Sequence, residues 1–550
     1  MNTYLDDVRA LAPGKNKEEL AKLKTQLARK HKLDRQPTDT EIGLITRTSI
    51  QTKPIRTLSG VAPLALMTAP FACPHGKCLY CPGGPGSAFG DVPQSYTGHE
   101  PSTLRGIRNF FDPYLISFNR LEQYVANGHV PAKTEVIIQG GTFPALDFAY
   151  QDDFITYCLK AQNDFGEQFL TSGLDWEKFT TFFELPGPLG DALRTKRIHE
   201  KELLLKGKST LEFEQKRNET ALIRCVALCI ETKPDWCLEP HIDNMLRLGT
   251  TRVELGVQCL RESVLKYTHR GHTLVETQKA TQLMRDSLLK IGYHMMPGLP
   301  GMTTEMDIED YQELFSNPAY MPDALKIYPT TVMKGTGLFG IWKAGKYVPL
   351  TTDETADLIV EAKKYVPKWC RIMRVQRDIP STVIDAGPNM TNMRQLVEQK
   401  CLERGIVCRC IRCREPKNKE VSWDDVRLLR ENYTAAGGDE IFLSFEDTKN
   451  DLLLGFLRLR IMPQSHRGEI SAGDAGVREL HVYGTATALG EEGDVQHRGL
   501  GKKLMAEAER IAREEYKSRK ILVISGIGVR EYYLKMGYVR DGPYMSKSLH

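Results

Sequence analysis

Three cysteines, Cys73, Cys78 and Cys81, sit in a C-x4-C-x2-C array within Phe71-Ala-Cys-Pro-His-Gly-Lys-Cys-Leu-Tyr-Cys-Pro-Gly-Gly-Pro-Gly-Ser87. A thiolate triad on a turn-rich loop can hold three corners of an iron–sulfur cube and leave the fourth iron without a protein ligand. An open iron is a place for a small molecule to chelate and accept an electron. The same spacing also suits zinc, with His75 as a nearby fourth ligand, or three unrelated buried thiols. A second run, Cys401-Leu-Glu-Arg-Gly-Ile-Val-Cys-Arg-Cys-Ile-Arg-Cys-Arg414, holds C-x-C-x2-C at Cys408, Cys410 and Cys413. Tetrahedral zinc there needs a fourth ligand, for which Cys401, Cys370 or a histidine are candidates. Such a zinc would be structural, and a second iron–sulfur cluster is the other metal reading. Cys158, Cys225, Cys229, Cys237 and Cys259 read as core thiols.

Other polar residues fall where strands should end. Thr134-Glu-Val-Ile-Ile-Gln-Gly-Gly-Thr-Phe143 runs into Gly140, Gly141 and Thr142, where missing side chains let a ligand approach the backbone. Glu231 leads a strand-end turn, and Glu254 and Gln258 share one face of the following strand. Each alone reads as a structural or surface polar group. With the thiol triad they describe a site for a zwitterionic, ribose-bearing ligand. Near the C-terminus, Arg478-Glu-Leu-His-Val-Tyr483 reads as a strand, and Gln496-His-Arg-Gly-Leu-Gly501 opens a helix through Arg513. Consecutive backbone N–H groups on a glycine turn at a helix start make a pyrophosphate cradle.

The elements that carry these groups alternate. Strand-like runs at 61–67, 134–143 (running into the diglycine), 223–235, 252–258, 294–301 and 324–329 are separated by helical stretches such as Pro240–Leu248 and Leu274–Arg285. That alternation predicts a parallel sheet rolled into an open or closed barrel, its site at the C-terminal strand edge. We expect a basic helical arm over 1–55, a barrel over 56–340 with a charged insertion near 164–218, a cysteine-rich linker over 341–418, and a smaller α/β domain over 419–550. The chain has 550 residues and a net charge of +4, so a polyanionic partner must be argued from local clusters and not from the total. No apolar run is long enough to span a membrane. The N-terminus is not a signal peptide, and thirteen cysteines then suggest a reducing cytoplasm.

Triad, diglycine strand end and barrel resemble the radical S-adenosylmethionine (SAM) enzymes, although C-x3-C-x2-C is that family's commonest spacing. The resemblance implies a [4Fe-4S] cluster on Cys73, Cys78 and Cys81. It also implies SAM bound near Gly140, Gly141, Thr142, Glu231, Glu254 and Gln258. Q-x-x-G-x-G, together with Gly528-Val-Arg-Glu-Tyr-Tyr-Leu-Lys-Met-Gly-Tyr538, resembles the GNAT acetyltransferases. By that likeness acetyl-coenzyme A lies along Glu479, Leu480, His481 and Val482 and on Gln496, His497, Arg498, Gly499, Leu500 and Gly501. Tyr533, with Tyr532 beside it, would approach the coenzyme A sulfur. The fold class is therefore α/β: a radical SAM partial barrel, a zinc-binding linker and a GNAT domain.

Both domains in this order, with Cys-Pro-Gly-Gly-Pro, Ile-Glu-Thr-Lys-Pro-Asp, Glu-Leu-Gly-Val-Gln, Met-Pro-Gly-Leu-Pro-Gly and Tyr-Pro-Thr followed by Gly-Thr-Gly-Leu, resemble the family of Elongator catalytic subunits and their single-chain archaeal and bacterial relatives. The resemblance implies a tRNA-modifying enzyme that builds a carboxymethyl group on C5 of wobble uridine 34. Uracil C5 is not an amine, so ordinary acetyl transfer does not suit it, whereas a carbon radical on the acetyl methyl can add to the C5=C6 bond. An anticodon stem-loop calls for cations and stacking groups. Candidates are Lys15, Lys17, Arg29, Lys30, Lys32 and Arg35 of the arm, Lys196, Arg197, Lys206 and Lys208 of the insertion, and Arg371, Arg374 and Arg377. An electron donor is required, accessory subunits are not, and homo-oligomerisation stays open. Rival readings are a protein lysine acetyltransferase with a structural barrel and a zinc-stapled RNA-binding scaffold.

Overall fold

The computed structural model describes residues 3–52, 59–187, 190–417, 419–483 and 499–550. Contacts divide the chain into two compact units. The first gathers residues 1–64, 112–135 and 153–226. Its three opening helices, Tyr4–Leu11, Lys17–Lys30 and Asp39–Thr46, each start at a capping box on Thr3, Asn16 and Thr38. Leu20, Leu23 and Leu27 recur at helical spacing and are buried with Val8, Ile42 and Ile45, so the basic side of the second helix is the one left outside. The charged insertion also builds an interior: Phe165, Phe169, Phe179 and Phe183 pack with Phe118 around Ile198. Segment 164–218 is thus part of a folded helical unit.

Two seven-stranded sheets organise the larger fold. The first runs in the order β1 (Val61–Met67), β4 (Lys133–Gln139), β5 (Arg224–Thr232), β6 (Arg252–Gln258), β7 (Lys290–Met295), β8 (Ala324–Ile327) and β9 (Arg371–Arg374). A short hairpin, β2 (Gly84–Ser87) and β3 (Gly90–Val92), follows the cysteine loop. The ladders from β5 to β9 are parallel. This is the open barrel expected from the alternation of strands and helices. Two boundaries differ: the strand expected at 294–301 is Lys290–Met295, with the Pro- and Gly-rich residues after it forming a turn, and residues 371–374, expected in the linker, add the seventh strand. Two apolar residues between arginines are too short a run to read as a strand, and it is pairing with β8 that makes it one.

The second sheet is β10 (Val426–Ala435), β11 (Gly438–Asp447), β12 (Leu452–Ile461), β13 (Ala475–Val482), β14 (Lys520–Val523), β16 (Tyr544–Ser548) and β15 (Val539–Asp541). One face buries Leu443, Leu457, Leu459 and Val477 against Leu504, Met505 and Ala508 of helix Leu500–Arg510. The other face meets the starts of β7, β8 and β9 within the second unit, which comprises 65–111, 136–152 and 227–550. A Cβ on Gly476 would fall 2.1 Å from Leu288 Cδ2, so glycine permits that approach. Charged groups fill the seam. Arg478 donates to both Asp323 oxygens and to Leu289 O, and Arg460 donates to Asp286 Oδ1 at 2.6 Å. Arg458 donates to Trp369 O at 2.6 Å, and the Trp369 and Tyr433 rings stack 4.3 Å apart. The acetyltransferase-like sheet therefore attaches at the N-terminal ends of the barrel strands, and the cysteine loop extends from the opposite, C-terminal edge.

Candidate functional site

The cysteine loop owes its shape to glycine. A Cβ on Gly83 would lie 2.3 Å from Pro93 O, and one on Gly140 (φ +118°) would lie 2.1 Å from Thr68 Oγ1. Gly141 (φ +106°) faces Cys73, with its absent Cβ position 4.0 Å from Sγ. Turns close through Gly76 N–H to Cys73 O and Cys81 N–H to Cys78 O, and the Ser95 N–H donates to Cys81 Sγ at 3.3 Å. Cys73, Gly140 and Thr142 line one pocket with Phe71 and Gln94. Burial, with Cys81 and Cys78 nearby, pushes the Cys73 thiol up to about 11.

The sulfurs of Cys73, Cys78 and Cys81 do not all lie within 4.8 Å of one another, which is wider than one tetrahedral ion requires. Tetrahedral zinc at about 2.3 Å from each sulfur draws its ligands to within about 4 Å of one another. Among the described residues two groups of three ligand-type side chains converge within 4.8 Å, and Cys73, Cys78 and Cys81 are not one of them. His75 lies with Nε2 3.1 Å from Cys78 Sγ, and burial with Lys233 and Arg270 nearby holds it down to about 3. An open thiol triad beside a glycine cradle fits a [4Fe-4S] group held by Cys73, Cys78 and Cys81. Held there, such a group would supply one-electron reduction of SAM.

The carboxylates of β5 and β6 do come together. Glu231 and Glu254, register partners on β5 and β6, meet His294 of β7. Between them stands Lys326 of β8, which donates to Glu231 Oε1 at 2.7 Å and pairs with Glu254. Glu254 also contacts Arg252 Nη2 at 3.1 Å and His294 Nε2 at 2.9 Å. Burial pushes the Glu254 carboxyl up, but Lys326 and Arg252 outweigh it and hold it well below its ordinary range. Burial lowers Lys326, and the two glutamates more than reverse that. Sequence reasoning missed Lys326 and His294, because a lone Lys or His on a strand carries no signal of its own. Gln258 keeps φ at +76° where the β6–β7 register shifts, and its buried Oε1 has no hydrogen-bond partner among the described residues. That acceptor is open to a hydrogen-bond donor at the strand end.

A polar lane continues toward the other sheet. Arg252 and Lys290 are register neighbours, and Lys290 pairs with Glu479 of β13. The β13–β14 ladder runs only over Ala475–Val477, so Glu479, Leu480, His481 and Val482 lie on the part of β13 beyond it. A bulge opposite Arg458/Leu459 shifts the register at the same point. Gly499 caps the helix at φ +72°, followed by Leu500 and Gly501; Gln496, His497 and Arg498 lie outside the described residues. The two tyrosines differ. Tyr533 is buried in the domain core, whereas the Tyr532 hydroxyl lies 3.1 Å from where a Gly501 Cβ would stand.

Cys408, Cys410 and Cys413 have their sulfurs within 4.8 Å, the spacing of a single tetrahedral ion. Neither Cys370 nor Cys401 joins that group. Lys363, 3% exposed, places its Nζ 3.8 Å from Cys413 Sγ.

The basic residues have mixed surroundings. Lys15, Lys17, Arg29, Lys32, Lys196 and Lys208 are exposed. Lys30 pairs with Asp7, Arg35 with Glu41, Arg197 with Glu184 and Lys206 with Asp112. Arg371 is held inside by Glu415 and Tyr483, Arg374 pairs with Asp378, and Arg377 donates to Ser95 O beside the cysteine loop.

Comparison with known proteins agrees with this division. Residues 69–314 match the radical SAM superfamily, 322–403 the radical SAM C-terminal domain and 407–538 the acetyltransferase (GNAT) family. The chain is 49% identical over 509 residues to a tRNA uridine(34) acetyltransferase of Methanocaldococcus jannaschii, covering 91% of this chain and 86% of that one. It is 41% identical over 554 residues to Elongator complex protein 3 of Schizosaccharomyces pombe, covering 96% and 94%. A solved structure of archaeal Methanocaldococcus infernus Elp3 with an N-terminal deletion superposes at TM-score 0.73 with 44% identity, over 90% of this chain and all of that one.

Proposed function

This chain belongs to the family of tRNA uridine(34) acetyltransferases and Elongator complex protein 3, and we propose that it uses SAM radical chemistry and acetyl-coenzyme A to install a carboxymethyl group at C5 of wobble uridine 34. The observation that carries this reading is the polar lane. Glu231, Lys326 and Glu254 lie at the SAM edge, Arg252 and Lys290 follow, and Glu479 stands on the acetyl-coenzyme A strand, all within one compact unit. Two cofactor-type sites joined this way suit a reaction that needs both on one substrate.

The parts take the following roles. Cys73, Cys78 and Cys81 hold the cluster. Gly140, Gly141 and Thr142 admit the methionine end of SAM, and Gln258 contacts it through its idle carbonyl. Glu231 and Glu254 contribute through Lys326. On the other sheet, Glu479–Val482 and the Gly499–Gly501 turn carry acetyl-coenzyme A, with Tyr532 at the thioester end and Tyr533 packed edge-on behind it. Cys408, Cys410 and Cys413 hold a structural zinc. The tRNA backbone is contacted by the exposed cations of the arm and insertion and by Arg377, and the wobble base flips out of its stack to be modified. An electron donor completes the set, and the enzyme works in the cytoplasm. Among the described residues no helix is long and apolar enough to cross a membrane.

A lysine acetyltransferase needs an open peptide groove on the sheet face away from helix Leu500–Arg510. Here Arg458, Arg460 and Arg478 tie that face to the barrel, which disfavours that reading. The test is anaerobic incubation with tRNA, SAM, acetyl-coenzyme A and a reductant, followed by mass spectrometry of the nucleosides. Carboxymethyluridine that requires both SAM and acetyl-coenzyme A supports the proposal. Acetyl-lysine product with unmodified tRNA would overturn it.

A further inference from the structure

Arg270 is an arginine the roles above leave unused, and its setting is unusual. It is 8% exposed, in the loop after helix Glu262–Tyr267. Its Nη2 and Nε donate to Gly256 O at 2.7 and 3.2 Å, anchoring it under β6 between Glu254 and Gln258. Its Nη1 stands 3.8 Å from Cys78 Sγ. Two glycines exist to admit this arrangement. A Cβ on Gly256 would lie 2.3 Å from Arg270 Nη2, and one on Gly271, at φ +74°, would lie 2.6 Å from His75 Cβ. The backbone closes the same contact, with Leu79 N–H donating to Thr268 O at 3.0 Å. The loop 268–271 is thus clamped to the turn that presents Cys78.

Resting on the radical SAM reading above, we infer that Arg270 is a positioning residue of the cluster, pinning Cys78 and setting a fixed positive charge against its sulfur. A thiolate-bound cluster gains one negative charge when reduced. A guanidinium held in a low-dielectric setting favours the more negative state, and donors to cluster sulfurs tune reduction in the same sense. Arginine suits the task because it stays charged when buried and offers several donors in a rigid fork. Here two of them face a backbone carbonyl and one faces sulfur. The anchor on Gly256 also ties the cluster loop to the strand that carries Glu254 and Gln258, so cluster position and SAM position are referenced to one backbone.

The test compares parent, R270K and R270M, each reconstituted with iron and sulfide. Iron content, the electron paramagnetic resonance signal at a fixed mild reducing potential, and SAM affinity are read separately. The inference expects R270M to carry near-parent iron with the ratio of reduced to oxidised cluster falling at least about tenfold, and R270K to fall between. Iron lost in R270M but regained in R270K would equally support a charged pin on Cys78. Unchanged reduction in both variants, or equal iron loss in both, would overturn it. If the radical SAM reading itself were wrong, the parent would show no cluster signal, which separates the two failures.

Discussion

Arg478 and Asp323 meet where the acetyltransferase sheet joins the barrel, Nη2 to Oδ1 at 2.6 Å and Nη1 to Oδ2 at 2.9 Å, both fully buried. Arg458 and Arg285 approach the same carboxylate, and Glu440 takes Arg285, Arg460 and Arg478. Buried charges in this number tolerate no vacancy, so the seam holds the two catalytic sheets at one fixed register.

Removing one partner should therefore be severe. D323N leaves Arg478 and Arg458 without their main counter-charge, and a loss of about 3–5 kcal/mol is expected for a broken buried pair. Denaturant unfolding checks it. A change below about 1 kcal/mol would mean the seam is not what holds the domains.

The same seam predicts a pH dependence. Burial pushes the Glu479 carboxyl up, but Lys290 and Arg458 outweigh it and hold it at about 2, against an ordinary 4.5. A depressed folded value stabilises the protein above the unfolded value, and that stability is lost as pH falls. Between pH 4.5 and 2 it should amount to about 3 kcal/mol. E479Q should show a flatter stability profile across that window, measured by urea midpoints.

For the cysteine group at 408–413, metal analysis should find one zinc per chain in addition to iron. C410S should lose it and lower the melting temperature, while iron content at Cys73, Cys78 and Cys81 stays unchanged. Loss of iron with the zinc retained would reverse the assignment of the two metals.

At the acetyltransferase turn, G501V places a side chain against the Tyr532 hydroxyl. Acetyl-coenzyme A affinity should fall at least about tenfold, roughly 1.4 kcal/mol, with SAM binding intact. Calorimetry with each ligand separates the two effects.

Much of this was legible from residue order alone. Apolar runs bounded by Gly and Pro located β1, β4, β5, β6 and β8 and caught only the end of β7, and the two glycine signatures pointed to the two turns on which the proposed sites rest, because such turns admit few other residues. What escaped was set by contacts distant in sequence. β9 is a strand only because β8 pairs with it. Lys326, His294 and Arg270 reveal their partners only once β6, β7 and β8 lie side by side. Arg371 looked like a surface cation, and Glu415 and Tyr483 make it an internal one.

The central claim is that the radical formed at the barrel edge acts on the acetyl group carried by the second sheet. The most direct measurement follows 5′-deoxyadenosine released during turnover with tRNA, SAM and methyl-deuterated acetyl-coenzyme A. The account predicts one deuterium in the deoxyadenosine and a deuterated methylene in the tRNA product. Deoxyadenosine free of deuterium, formed alongside carboxymethyluridine, would contradict it.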